Sequence, residues 1–193
     1  MRRCEIIIKT KVENHPYIYP KPIVLVGAIV EGKPNFFAVA DINISEYNPP
    51  KILVSSGKNH FTNKGIIKNE SFSVNIPSED MVKITDYCGI TEGKRKDKSE
   101  LFEIFYGVIK TAPLIREAPV NMACKLIKTI DLGGTNYIFI GEVVDCYINE
   151  DCLIDNKPNI KKINPIVYST YDMKYWRIGD YIGRAFKIGR EYK

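Results

Sequence analysis

Histidine is scarce in this chain: 193 residues contain only two, His15 and His60. That leaves a Cys/His zinc centre short of ligands, and no Ser-His-Asp or Cys-His catalytic arrangement can be assembled from the pair. The five cysteines are odd in number and none sits at CxxC spacing. A disulfide framework is therefore not expected, and Cys4, Cys88, Cys124, Cys146 and Cys152 read as buried thiols in a reducing compartment. Long apolar runs are also missing. The longest, "PIVLVGAIV" from Pro22 to Val30, is far too short to cross a bilayer, and the three isoleucines in "MRRCEIIIKT" do not amount to a signal sequence. These absences predict a cytoplasmic protein with no membrane contact.

Nucleotide signatures are lacking as well. No GxxxxGK[ST] run occurs, which excludes a phosphate-binding loop of that type, and no GxGxxG supports a dinucleotide-binding Rossmann domain. Charge is nearly balanced, with 28 basic against 23 acidic residues and a net charge of +5. The densest basic cluster, "GKRKDK" from Gly93 to Lys98, reads as a charged loop rather than a nucleic-acid patch. Carboxylates are scattered and mark no metal site. No repeat or low-complexity tract appears, so the chain is taken as a single domain over residues 1–193.

What is present is mostly strand. Ile23 to Val30 is a continuous branched apolar run, the pattern of a strand buried on both faces. "EGKP" turns it into a second strand, Asn35 to Ile42. "SEYNPP", Ser45 to Pro50, reads as a loop before a third strand, Lys51 to Ser56. In "FSVNIP" Phe72, Val74 and Ile76 share one face, and Ser73 and Asn75 the other. Two long strands follow, Asn121 to Leu132 and Asn136 to Ile148. Gly141 inside the second predicts a bulge or a close backbone approach. Helices are predicted at Thr62–Lys68, at Ser78 to about Tyr87 with Ser78 as the cap, and at about Asp97–Val108. In the last, Leu101, Phe102, Phe105 and Val108 recur at helical spacing. Many strands with few helices predict a mainly β protein, a β-barrel with peripheral α-helices.

One segment carries chemistry. Between the third strand and "FSVNIP" lie Ser55, Ser56, Lys58, His60, Thr62 and Asn63. Thr62 stands at the expected N-cap of a helix, whose unpaired amides and partial positive charge suit an anion. The serine hydroxyls at the strand end can point to the same spot, and His60 or Lys58 could join them. The alternative is that Thr62 only caps the helix and the serines are ordinary loop residues. The aromatic group Tyr171, Tyr175, Trp176 and Tyr181 could cover a planar cofactor, fill a core or form a dimer interface.

In order along the chain, "PKPIVLVGAIVEGKPNF", "NPPKILVSSGKNHFTNKGIIKNESFSVNIP", "DYCGITEGKRKDK", "EAPVNMACKLI", "NYIFIGEVVD" and "YWRIGDYIGRAF" resemble the flavin reductase-like family, which includes the flavoredoxins. The resemblance runs from about Pro20 to Phe186. It implies an FMN-binding split β-barrel, a homodimer, and non-covalently bound FMN. By position it places Ser55, Ser56, Thr62 and Asn63 at the phosphate and ribityl chain, and Asn35 near the flavin. It sets Ala40, Asp41 and Ile42 along the ring, Lys98 on the phosphate and Tyr168 over the ring. Where many members carry a histidine before the "GEV" strand, this chain has Asn136, which cannot titrate near neutral pH. The implied function moves electrons through FMN, from NAD(P)H to flavin or another acceptor. The alternative is a flavoredoxin-type carrier served by a protein donor. No side chain is expected to act as a catalytic nucleophile.

Overall fold

A computed structural model describes residues 7–192; Cys4 lies outside them. The main sheet has seven strands: β1 Val24–Val30, β2 Lys33–Val39, β3 Ile42–Tyr47, β4 Pro50–Gly57, β5 Ser71–Ile76, β6 Val120–Asp131 and β7 Asn136–Ile148. Their spatial order is β2-β1-β5-β6-β7-β4-β3, and every neighbouring pair is antiparallel. Phe37 of β2, at one edge, and Val54 of β4, near the other, belong to the same apolar cluster as Val26, Phe72 and Phe139. Strands so far apart in sheet order can share a core only if the sheet curls on itself. This is the split β-barrel architecture, mainly β with few helices.

The branched run in β1 is buried on both faces, as its composition predicts. Val24, Val26 and Ala28 face the barrel core, while Leu25 packs on the opposite side with Phe36, Met81, Cys88, Phe102 and Ile115. That second cluster is covered by helix α2, Val82–Ile90, and by the segment that follows it. Asn75 ties that cover to the sheet. Its amide donates to the Leu25 carbonyl at 3.1 Å, and its oxygen accepts from the Ile115 N–H at 3.0 Å and from Asn121 at 2.9 Å. A fully paired buried amide of this kind fixes position and is costly to disturb.

Several local expectations need correction. The stretch 97–108 is not a helix. Ser99–Leu101 is a single 3-10 turn, and Ile104–Phe105 is a short strand paired with Leu114–Ile115. Asp97 accepts from both the N–H and the hydroxyl of Ser99, while Val108 donates its N–H to Asp145. Tertiary pairing thus overrides a helical spacing of only four apolar residues. Ser45–Tyr47 is not loop but the end of an exposed edge strand, β3. Ser78 makes no side-chain cap; a 3-10 turn at Glu79–Met81 leads into α2 instead. Cys146 is exposed, unlike Cys88, Cys124 and Cys152. Gly141 does sit at a register shift between β6 and β7, and a Cβ there would lie 2.5 Å from the Phe72 ring.

Helix α1, Thr62–Asn69, is pressed onto β1. A Cβ on Gly65 would stand 2.4 Å from the Ile29 carbonyl oxygen, and Asn69 donates its amide to that same oxygen at 2.7 Å. Alanine at 65 improves helix propensity by about 1 kcal/mol. Overpacking against an immovable backbone oxygen costs about 1–3 kcal/mol. Gly65→Ala should therefore lower the thermal midpoint; a raised midpoint would show that α1 is not seated this closely.

Candidate functional site

The close seat of α1 sets its first turn beside the C-terminal end of β4. Together with the start of β7 and the loop after α2, these elements enclose a cavity of about 820 Å³. Its walls include Asn35, Thr62, Asn63, Lys98 and Asn136, five of the residues that the sequence singled out. Phe61, not Thr62, occupies the N-cap position, and its backbone is already helical. Thr62 is instead the first helical residue, is buried, and donates its hydroxyl to Asn35 Oδ1 at 2.9 Å. The amides of Asn63 and Lys64 donate to the carbonyls of His60 and Phe61. Among the described residues, the N–H groups of Phe61 and Thr62 have no acceptor.

Ser55 and Ser56 do not point to one spot. Consecutive strand residues face opposite ways. Ser56 is buried and donates to Asn63 Oδ1 at 2.7 Å, while the Asn63 amide reaches the Gly57 carbonyl at 2.8 Å. Ser55 instead accepts from the Asn136 amide at 3.0 Å. Ser56 thus braces the helix start from beneath, and Ser55 orients Asn136.

Lys98 is the unusual residue. It is only 1% exposed, yet its ammonium meets no carboxylate among the described residues. Nζ donates to the carbonyls of Phe36 at 3.0 Å and Cys88 at 2.9 Å. Burial lowers its pKa, with the Cys88 thiol opposing that shift. A buried cation without a counter-charge is costly. The remaining basic residues around the cavity are more conventional: Lys58 pairs with Asp131 at 2.7 Å and lies over Tyr137, and Lys64 lies over Phe61. In "GKRKDK", Arg95 pairs with Glu92 and Asp97 with Lys33, as in a charged loop, but Lys94 and Lys98 line the cavity.

Ala40, Asp41, Ile42 and Ser55 stand outside the cavity walls but continue from them. The Asp41 carbonyl accepts from the Ser55 N–H at 2.8 Å, and Ser55 holds Asn136. The Asp41 carboxylate pairs with Lys21, whose Cα partner across the small sheet is Tyr168. Tyr168 itself lines a different cavity. Sequence reasoning missed Phe37, which stacks on His60 with ring centroids 4.6 Å apart, and also Gly93. Phe37 was accessible in principle, since it shares the strand face of Asn35. A Cβ on Gly93 would collide with the Asn35 amide at 2.5 Å, so the loop after α2 closes directly on that side chain.

The family described as "Flavin reductase like domain" matches residues 17–177. The chain belongs to the flavin reductase-like family. Its structure is similar to that of flavoredoxin from Methanosarcina acetivorans, with a TM-score of 0.92 and 46% identity over 95% of this chain and 98% of that one. Flavoredoxin of Desulfovibrio vulgaris (Miyazaki F) gives a TM-score of 0.87 and 32% identity over 94% and 100%. An FMN-binding protein from Thermus thermophilus shares the fold, with a TM-score of 0.77 at 20% identity over 93% and 98%.

As a member of the flavin reductase-like family the chain is a flavin-binding redox protein, and its cavity suits such a group. Flavin coenzymes are phosphate esters. The buried Lys98 ammonium and the acceptor-less amides of Phe61 and Thr62 supply the charge and donors that a phosphate needs. Among the described residues no helix is long and apolar enough to cross a membrane.

His60 reports on this electrostatic setting. Desolvation, then the Lys98 charge, lowers its pKa below 6.5. Folding therefore favours the neutral imidazole. Stability should rise with pH through the window between the depressed folded value and 6.5, where the unfolded chain binds more protons than the folded one. Urea midpoints across that window should climb in the wild type and climb less in His60→Asn. Identical slopes would remove Lys98 and burial as influences on His60.

Proposed function

We propose that the chain binds FMN non-covalently in the cavity between α1, the end of β4 and the loop after α2, and passes electrons through it. The observation that carries this reading is Lys98, a buried cation with no carboxylate, on the wall of a cavity that also presents unpaired helix amides. A single phosphate dianion answers both. When bound, the flavin supplies reversible electron transfer; the protein binds it, orients it and sets its surroundings.

The residues divide the work. Lys98 and the amides of Phe61 and Thr62 would hold the phosphate. Asn35, fixed between Thr62 and Gly93, and Asn63, braced by Ser56, would meet the polar chain beyond it. Asn136 and the strand corner at Ala40, Asp41 and Ile42 would border the ring. The FMN-binding neighbour and the absence of a GxGxxG dinucleotide signature support FMN rather than a dinucleotide flavin.

A protein electron donor is the reading that Asn136 supports. Its amide donates to Ser55, and its oxygen accepts from the Thr135 hydroxyl at 3.2 Å. Both ends of the side chain are engaged, and neither can exchange a proton near neutral pH. The flavoredoxin likeness points the same way. Direct oxidation of NAD(P)H is the second reading, supported by the family's name.

Purified protein should show flavin absorbance, and chromatography of the released flavin should give FMN. Under anaerobic conditions dithionite should bleach it fully, while NADH and NADPH should not. Rapid bleaching by either nucleotide would establish the second reading. Lys98→Met and Thr62→Ala should each weaken FMN binding by about 5- to 150-fold, the equivalent of about 1–3 kcal/mol. Unchanged affinity in both variants would remove the phosphate from this end of the cavity.

A further inference from the structure

The rim of the candidate cavity has a character that flavin binding does not use. Two large apolar side chains stand there in water. Ile67 is 47% exposed and Ile90 75% exposed, and both line the cavity. They come from different elements, Ile67 from α1 and Ile90 from the last position of α2. Each helix anchors itself through other residues: Ile66 enters the barrel core, and Cys88 enters the second cluster. Ile67 and Ile90 contribute to neither cluster. A single exposed apolar residue is ordinary, but two from separate helices at one opening form a patch.

Around this patch the unpaired charge has one sign. Helix α1 contains no acidic residue, and its Lys64 and Lys68 are exposed. In the loop after α2, Glu92 is engaged by Arg95 at 2.9 Å and Asp97 by Lys33 at 2.6 Å. That leaves Lys94 and Lys96, both exposed. None of these four lysines has a carboxylate partner among the described residues. Lys64 and Lys94 line the cavity itself, and the Phe61 ring lies 5.1 Å from the Lys64 ammonium. A small anion is served by buried donors that converge, as at Lys98. Exposed lysines spread over a helix and a loop, around two isoleucines, suit a broader acidic surface with an apolar centre.

We propose that this rim docks a small acidic one-electron carrier protein, with Ile67 and Ile90 at the centre of the contact and Lys64 and Lys94 meeting its carboxylates. The proposal rests on the reading that the cavity holds a flavin, and it names the surface and the charge of the donor that serves it. Each reduced carrier gives up one electron to the bound flavin and leaves oxidised. Two such encounters, with two protons from solvent, reduce one flavin fully. Unpaired lysines steer an acidic partner to the cavity mouth and speed encounter. The small apolar centre gives a contact that forms and releases quickly, as a carrier that must leave after each electron requires.

The test uses the full chain, a plant-type two-iron ferredoxin as the acidic probe, and cytochrome c as the basic control. Calorimetry of oxidised ferredoxin against the protein, with its flavin and after flavin removal, separates docking from the flavin reading. The wild type should bind ferredoxin in both forms, with a Kd that rises at least about tenfold from ~0.01 M to ~0.15 M salt. The double variant Lys64→Glu, Lys94→Glu should weaken binding at least about tenfold at low salt. Ile90→Ser should weaken it about fivefold at every salt concentration. Under anaerobic conditions reduced ferredoxin should bleach the bound flavin, and more slowly in both variants. A wild type that does not bind ferredoxin overturns the proposal, as does equal binding of cytochrome c or unchanged affinity in both variants. Binding of NADPH in place of ferredoxin, lost with the two lysines, would overturn it in favour of a small anion. Ferredoxin binding by a colourless protein would uphold the docking surface and overturn the flavin reading instead.

Discussion

The candidate site depends on one buried charge. Lys98 comes from the loop after α2, yet its ammonium is held by a carbonyl of β2 and a carbonyl of α2. Two neutral acceptors satisfy hydrogen-bonding directions without neutralising the charge. The loop, the edge strand and the helix are thereby drawn to one point, which becomes a wall of the candidate cavity. A hydrophobic residue in its place would spare the protein that desolvation but would leave the cavity without its buried positive charge. The arrangement ties three elements together and at the same time leaves a positive charge that suits an anion.

Precision on the opposite wall comes from close backbone approach. Gly65 lets α1 sit on the Ile29 carbonyl, and that contact fixes where the first turn of the helix opens. Ser56 and Asn63 then tie the strand end to the helix, while Thr62 donates to Asn35 and Gly93 closes on its amide. Each of these side chains is positioned by a partner from a different element. Preorganised donors of this sort lose little entropy when a ligand arrives.

The strands of the fold were legible because burial on one or both faces writes a period into them. Ile23–Val30 and "FSVNIP" show it directly. The 97–108 segment was misread because four apolar residues at helical spacing carry no information about Asp97 capturing Ser99 or Asp145 capturing Val108, contacts that form only after folding. The site was partly legible for the same reason. Thr62, Asn63 and Asn35 could be named, yet the hydroxyl of Thr62 turned out to orient Asn35 rather than to cap the helix. That Ser55 and Ser56 diverge follows from strand geometry alone. The burial of Lys98, by contrast, cannot be read from a run of charged residues, most of which are exposed.

The chemistry of the cavity wall also limits what the protein itself can do. Cys88 contributes its carbonyl to Lys98, and its thiol stands in a redox protein's candidate site. Burial pushes that thiol up to about 11, against the opposing pull of Lys98. At neutral pH it stays protonated and is a poor nucleophile. His60, the nearest imidazole, is biased towards its neutral form, and Asn136 cannot titrate. Such a wall can hold, orient and electrostatically tune a redox group, and it leaves the electron transfer to that group.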